Sequence, residues 1–67
     1  MTQKEKLDSY IRTYQKGAFL IDAGFGKWTV AGNKHQYAAI ARKAILLGMK
    51  VRFIDAEDCF QSMQVFY

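Results

Sequence analysis

The chain has 67 residues, 51% of them hydrophobic and 15% aromatic, which predicts one small folded domain covering residues 1–67. Ten basic residues against six acidic ones give a formal net charge of +4, and this favours polyanions or acidic protein surfaces as partners. A single cysteine, Cys59, excludes an intrachain disulfide, and one cysteine with one histidine cannot fill a tetrahedral metal site, so we expect no metal and no cofactor.

The sequence predicts a cytoplasmic protein without a membrane partner. Residues 1–6 are polar or charged apart from Met1, and no apolar signal segment follows them. The longest apolar runs, such as residues 44–47, are far too short to cross a membrane. A lone cysteine also fits a reducing compartment.

The first predicted element is a helix over residues 3–16. Thr2 and Glu5 have the spacing of a capping box, and Gly17 is expected to end the helix. Between them, four apolar or aromatic residues recur at helical spacing: Leu7, Tyr10, Ile11 and Tyr14.

Two strands joined by a tight turn follow. Residues 18–23 are nearly all apolar, which is typical of a strand in the centre of a sheet. Residues 27–31 alternate as in a half-buried strand, with Trp28 and Val30 on the core side. The intervening residues 24–26, Gly-Phe-Gly, include two glycines that are free to adopt positive φ, and they predict a β-hairpin.

Residues 23–30, AGFGKWTV, invite two other interpretations. A phosphate-binding loop needs four residues between its glycines and a helix after its lysine, but Lys27 leads into a strand. The Gly-Phe-Gly-Lys-Trp order resembles the RNA-stacking RNP1 segment of an RRM. In this chain, however, Phe25 falls in the turn and Trp28 on the core side, so we interpret the stretch as a hairpin turn.

Asn33 and Gln36 repeat the capping pattern and predict the start of a second helix, which Gly48 ends. One face of this helix is apolar and consists of Tyr37, Ile40, Ala41, Ala44 and Leu47.

Residues 49–55 predict a third strand, with Val51 and Phe53 facing the core and Lys50 and Arg52 facing solvent.

The last residues predict a short helix and a tail. Asp55, Glu57 and Asp58 suit a helix N-terminus, where carboxylates complement the helix dipole, and the helix is expected to run through Ser62. A cation site is the alternative for these acids. The apolar tail, residues 64–67, is expected to fold back on the core, although docking on a partner remains open.

The order α-β-β-α-β predicts an α+β fold of two layers. The right-handed crossover rule places the strands in order 2-1-3, with the first strand in the centre. Two helices then cover one face of a three-stranded sheet, and a short C-terminal helix completes the domain.

Candidate binding residues fall on three parts of this predicted fold. The sheet contributes Lys27, Lys50 and Arg52, the second helix contributes Lys34, His35, Arg42, Lys43 and Leu46, and the tail contributes Phe66 and Tyr67. Leu20, Asp22 and Ile54 are expected near the three sheet cations on the solvent face. His35 has no serine or cysteine at helical spacing, so no catalytic set is predicted and we expect no enzyme.

These features predict a small non-enzymatic binding protein that occupies a partner protein's surface, as an accessory protein or inhibitor. A short basic chain of this kind resembles the small accessory proteins of phages and mobile elements, and the analogy extends to partners in nucleic-acid-handling machinery. The alternative is a nucleic-acid-binding module that uses the basic sheet face or the second helix against phosphates. A second copy of the chain is a further candidate partner.

Overall fold

The computed structural model describes residues 2–55 and 61–67, which form an α+β fold. The elements are α1 (Gln3–Tyr14), β1 (Phe19–Gly24), β2 (Lys27–Ala31), α2 (Lys34–Leu46), β3 (Lys50–Asp55) and β4 (Gln61–Phe66). The strands form one antiparallel sheet in the order β1-β2-β4-β3. Helix α1 lies against β1, and α2 packs on β3 and β4, so the helices form a second layer on one face of the sheet.

Helix α1 begins as predicted, because the Glu5 backbone N–H donates to the Thr2 hydroxyl at 3.2 Å. It ends two residues earlier than predicted, at Tyr14. Leu7 and Ile11 are buried, whereas Tyr14 is 70% exposed and rests against the Tyr10 ring with centroids 5.3 Å apart. The buried stripe of α1 therefore ends at Ile11, and Tyr14, its predicted last member, faces solvent.

Helix α2 begins with the predicted capping box. The Gln36 backbone N–H donates to Asn33 Oδ1, and the Asn33 N–H donates to Gln36 Oε1, both at 3.0 Å. Gln36 Nε2 also donates to the Lys16 carbonyl at 3.0 Å, which ties the start of α2 to the segment after α1. Four of the five predicted apolar residues are buried, namely Tyr37, Ile40, Ala41 and Ala44, and Leu47 packs against them.

The β1–β2 hairpin turns through only two residues, Phe25 and Gly26, both with positive φ (55° and 73°). Positive φ at both central residues is what a type I′ turn requires, and the twist of such a turn matches that of the flanking strands. A shift in strand register between Asp22 and Gly24 precedes the turn, and the Asp22 carboxylate accepts a hydrogen bond from the Gly24 N–H at 2.7 Å. The turn interpretation of this stretch is confirmed.

The predicted three-stranded sheet in the order 2-1-3 is wrong, because a fourth strand lies between β2 and β3. In β4, Met63 and Val65 are fully buried and alternate with the half-buried Ser62 and Gln64. This period of two belongs to a strand, so neither a helix through Ser62 nor a separate tail forms here. The rest of the predicted helix, residues 56–60 with Glu57, Asp58 and Cys59, lies outside the described residues.

The central position predicted for the first strand is also wrong. Strand β1 pairs with β2 and lies at one edge of the sheet, with Leu20 against the core while Phe19 and Ile21 face outward. The strand therefore carries apolar side chains on both faces of the sheet, although the helices cover only the inner face. Helix α2 carries the chain from β2 to β3, which run parallel two positions apart, and β4 fills the gap.

The core lies between the helix layer and the inner face of the sheet. Its fully buried large side chains come from both layers, and they are Leu7, Ile11, Val30, Ile40, Met63 and Val65. At one end, Tyr67 packs edge-on against Trp28 with ring centroids 5.4 Å apart. Its hydroxyl accepts a hydrogen bond from the Lys4 backbone N–H at 3.3 Å, so the end of the chain docks on the domain.

Candidate binding surface

The strand register divides the sheet into an inner and an outer face, because directly paired residues project from the same side. Val30 pairs with Met63, and Trp28 pairs with Val65, so these residues form the inner face. The alternate positions form the outer face, which comprises Phe19, Ile21, Lys27, Thr29, Ala31, Lys50, Arg52, Ile54, Ser62, Gln64 and Phe66. Within the described residues, no helix covers this face.

One end of the outer face carries a cluster that we call the basic corner, formed by Lys27, Lys50, Arg52 and Phe66. Phe66 on β4 pairs with Lys27 on one side and with Lys50 on the other. Such cross-strand neighbours have Cβ atoms about 4.5–5.5 Å apart, so two lysines flank one aromatic ring. Arg52 lies one outer position further along β3, opposite Gln64. The three predicted sheet cations are therefore brought together around an aromatic residue.

Exposed apolar side chains lie on the rest of the outer face, towards its two edges. Phe19 and Ile21 on β1 are 56% and 48% exposed, and Ile54 on β3 is 39% exposed. Ala31 and Ser62 lie between the two edges. None of the outer-face residues is acidic, so the face combines apolar surface with one sign of charge.

The sequence prediction for this face is partly wrong. Leu20 pairs with Val30 and Asp22 with Trp28, which places both on the inner face. Phe19 and Ile21 take their places beside the cations, while Ile54 lies on the outer face as predicted. The prediction assigns the β1 residues to faces one residue out of register with the observed pairing. Such a shift exchanges the two faces of a strand.

The candidates on the second helix face another side of the molecule. Lys34, His35, Arg42 and Leu46 are exposed on the helix layer. Lys43 is half-buried, with its ammonium 5.7 Å from the centre of the Tyr10 ring, as in a cation–π contact. Since the sheet separates the helix layer from the outer face, one flat partner surface cannot contact both sets.

Phe25, to which the sequence assigned no binding role, stands out at the hairpin tip. It is fully exposed, and its φ of 55° lies in the left-handed region, which costs a residue with a Cβ roughly 1–2 kcal/mol. It precedes Lys27 by two residues, so the tip extends the end of the sheet that carries the basic corner. The Gly-Phe-Gly sequence could have indicated this exposed position, because a side chain at the tip of a two-residue turn has no core to enter.

The described residues contain no group of three or more histidine, cysteine or acidic side chains placed to hold a metal ion. His35 lies exposed in the first turn of α2. Neither described helix is long and apolar enough to cross a membrane. No protein-family model, curated protein or solved structure matches the chain.

Proposed function

We propose that this chain is a non-enzymatic binding protein that acts by occupying a partner protein's surface, as an accessory protein or inhibitor. The supporting observation is the outer face, where half-exposed apolar residues lie beside a cluster of cations. Phe19 and Ile21 keep about half of their surface in water, so their burial stabilises the fold only in part. Exposed apolar surface of this kind is typical of interaction sites.

The charge of the outer face defines the partner's chemistry. Lys27, Lys50 and Arg52 are exposed, and no acidic residue lies among them on the face. The complementary surface is an apolar patch with carboxylates at one end. Opposed charges of this kind raise the association rate and fix the orientation of the two proteins. We place the interaction in the cytoplasm, where a chain with one cysteine needs no disulfide.

Affinity capture from a nuclease-treated cell lysate tests this proposal. The wild type is compared with Lys50→Glu/Arg52→Glu, which reverses the charge of the basic corner. The matched control is Lys6→Glu/Lys16→Glu, an equal charge change at exposed positions on and just after α1. A protein retained by the wild type and the control but lost by the outer-face variant supports the proposal, provided that the purified partner binds directly.

Two results contradict the protein-binding proposal. Capture that is equal for all three chains shows that the outer face is not the contact surface. Capture that disappears on nuclease treatment shows that nucleic acid carries the interaction instead.

A second candidate function, single-stranded nucleic acid binding, is favoured by one specific contact. Phe66 lies between Lys27 and Lys50 on adjacent strands, so an aromatic surface for base stacking is flanked by two groups that can neutralise phosphates. Phe66 is only half-buried, which leaves part of its ring accessible. The apolar residues Phe19 and Ile21 have no role in this mode, and for that reason we place it second.

Fluorescence anisotropy with a labelled oligothymidylate and an oligouridylate tests the second candidate. Three phosphate contacts predict an affinity about 20-fold lower at about 200 mM salt than at about 50 mM. Phe66→Leu keeps the apolar volume on β4 but removes the ring, and it should weaken binding without changing the salt dependence. No binding at low salt, or equal binding by Phe66→Leu, contradicts this candidate.

A further inference from the structure

The two edge strands of the sheet differ in how they are protected from pairing with other strands. An edge strand exposes a row of unpaired backbone N–H and C=O groups, and proteins commonly guard it with lysine or other charges. Strand β3 carries Lys50 and Arg52 at successive outer positions. Strand β1 carries a single charge, Asp22, which lies at an inner-face position near the turn.

That one charge offers β1 little protection. The Asp22 carboxylate accepts a hydrogen bond from the Gly24 N–H at 2.7 Å, so it serves the hairpin. The exposed outer-face residues of the strand, Phe19 and Ile21, are apolar. In the described part of the chain, β1 pairs only with β2. Its outer edge thus combines open hydrogen-bonding groups with exposed apolar side chains.

We propose that β1 pairs with β1 of a second copy of this chain, antiparallel and about a two-fold axis, which makes one eight-stranded sheet. The charge distribution favours β1 over β3 as the edge at which two copies meet. The β3 edge carries Lys50 and Arg52 on its outer face, so two copies paired about an axis at Val51 would place Lys50 of each chain opposite Arg52 of the other, and like charges facing each other are destabilising. At the β1 edge no like charges oppose each other on the outer face, although each chain carries a net charge of +4.

The strand pattern is also self-complementary. In antiparallel pairing, opposed residues project from the same face, so inner residues meet inner residues and both helix layers lie on the same side. An axis at Leu20 places Phe19 of one copy opposite Ile21 of the other on the outer face. Aromatic and β-branched residues form favourable cross-strand pairs. A two-fold pairing at this edge closes after two copies, because each chain has one β1 edge.

The dimer does not depend on the proposed function and is tested without any partner. Sedimentation equilibrium over a concentration series should show the wild type passing from one to two chains. Ile21→Lys places an ammonium against Phe19 of the second copy and should remain a single chain throughout. Ile54→Lys, the matched change on the outer face of β3, should dimerise like the wild type.

Amide hydrogen exchange supplies a test that needs no variant. Protection of the β1 amides should rise with protein concentration, while that of the β3 amides stays constant. A wild type that remains monomeric, concentration-dependent protection at β3, or assembly beyond two chains overturns the proposal. Equal loss of the dimer in Ile21→Lys and Ile54→Lys also overturns the proposal. If β1 pairs with a foreign peptide but not with a second copy, the proposal is overturned and this edge has another occupant.

Discussion

On the inner face of the sheet Val30, Met63 and Val65 of the two central strands are at most 1% exposed, whereas on the outer face of the edge strand β1 Phe19 and Ile21 keep about half of their surface in water. The covering helices account for the burial in the centre of the inner face, whereas at the β3 edge the inner-position Phe53 is 56% exposed. Burial of an inner-face apolar residue stabilises the fold in proportion to the area removed from water. Phe19 and Ile21, which stay about half exposed, therefore contribute less to stability by burial.

The largest effect is expected from the inner face. Met63→Ala removes a fully buried side chain from the central strand and leaves a cavity, so it should lower the free energy of unfolding by about 2–5 kcal/mol. This is a large share of the stability of so small a domain. Urea denaturation followed by circular dichroism measures the change. A loss below about 1 kcal/mol would show that this part of the core is not packed as described.

An intermediate effect of opposite sign is expected at the hairpin tip, which belongs to neither face. Phe25→Asn relieves the left-handed strain of a fully exposed ring and creates the Asn-Gly pair favoured by type I′ turns. We expect the free energy of unfolding to rise by about 1 kcal/mol, which corresponds to an increase in Tm of about 4–8 °C.

The control at this position is Phe25→Leu, which keeps the strain and the apolar character and should leave Tm unchanged. If Phe25→Asn stabilises the domain yet weakens binding of a captured partner, Phe25 is retained for contact at a cost in stability. An unchanged or lower Tm for Phe25→Asn would show that the turn is not strained.

The smallest effect is expected on the outer face. Ile54→Thr keeps a β-branched side chain on β3 and should change the free energy of unfolding by no more than about 0.5 kcal/mol. Thermal denaturation of the variant beside Met63→Ala compares the two faces directly. A loss that approaches the inner-face value would mean that the outer face is covered within the isolated protein, and the comparison would fail.

The parts of the fold that depend on neighbouring residues were predictable from the sequence. The caps at Thr2 and Asn33, the turn through Phe25, and the opposite faces of Lys50 and Val51 follow from local spacing, and the structure confirms them. The ends of the elements were less accurate, since α1 ends at Tyr14, two residues before the predicted end.

The strand order was not predictable in the same way, because pairing joins residues far apart in the chain. The alternation of Ser62, Met63, Gln64 and Val65 signals a strand but is short, and the acidic residues before it favoured a helix. For the same reason, only part of the basic corner could be predicted from the sequence. Its cations were assigned correctly to one face, but the position of Phe66 between two lysines follows only from the insertion of β4.

The central position of β4 has a consequence for how the protein is made. Strands β2 and β3 are both synthesised before β4. They are not neighbours in the sheet, so neither can form its pairing with β4 until β4 has been made. During translation the nascent chain therefore holds a β1–β2 hairpin and a lone β3 strand that do not pair with each other. The four-stranded sheet forms only when residues 61–66 have left the ribosome, and until then β2 and β3 each expose an edge that can pair with a foreign strand.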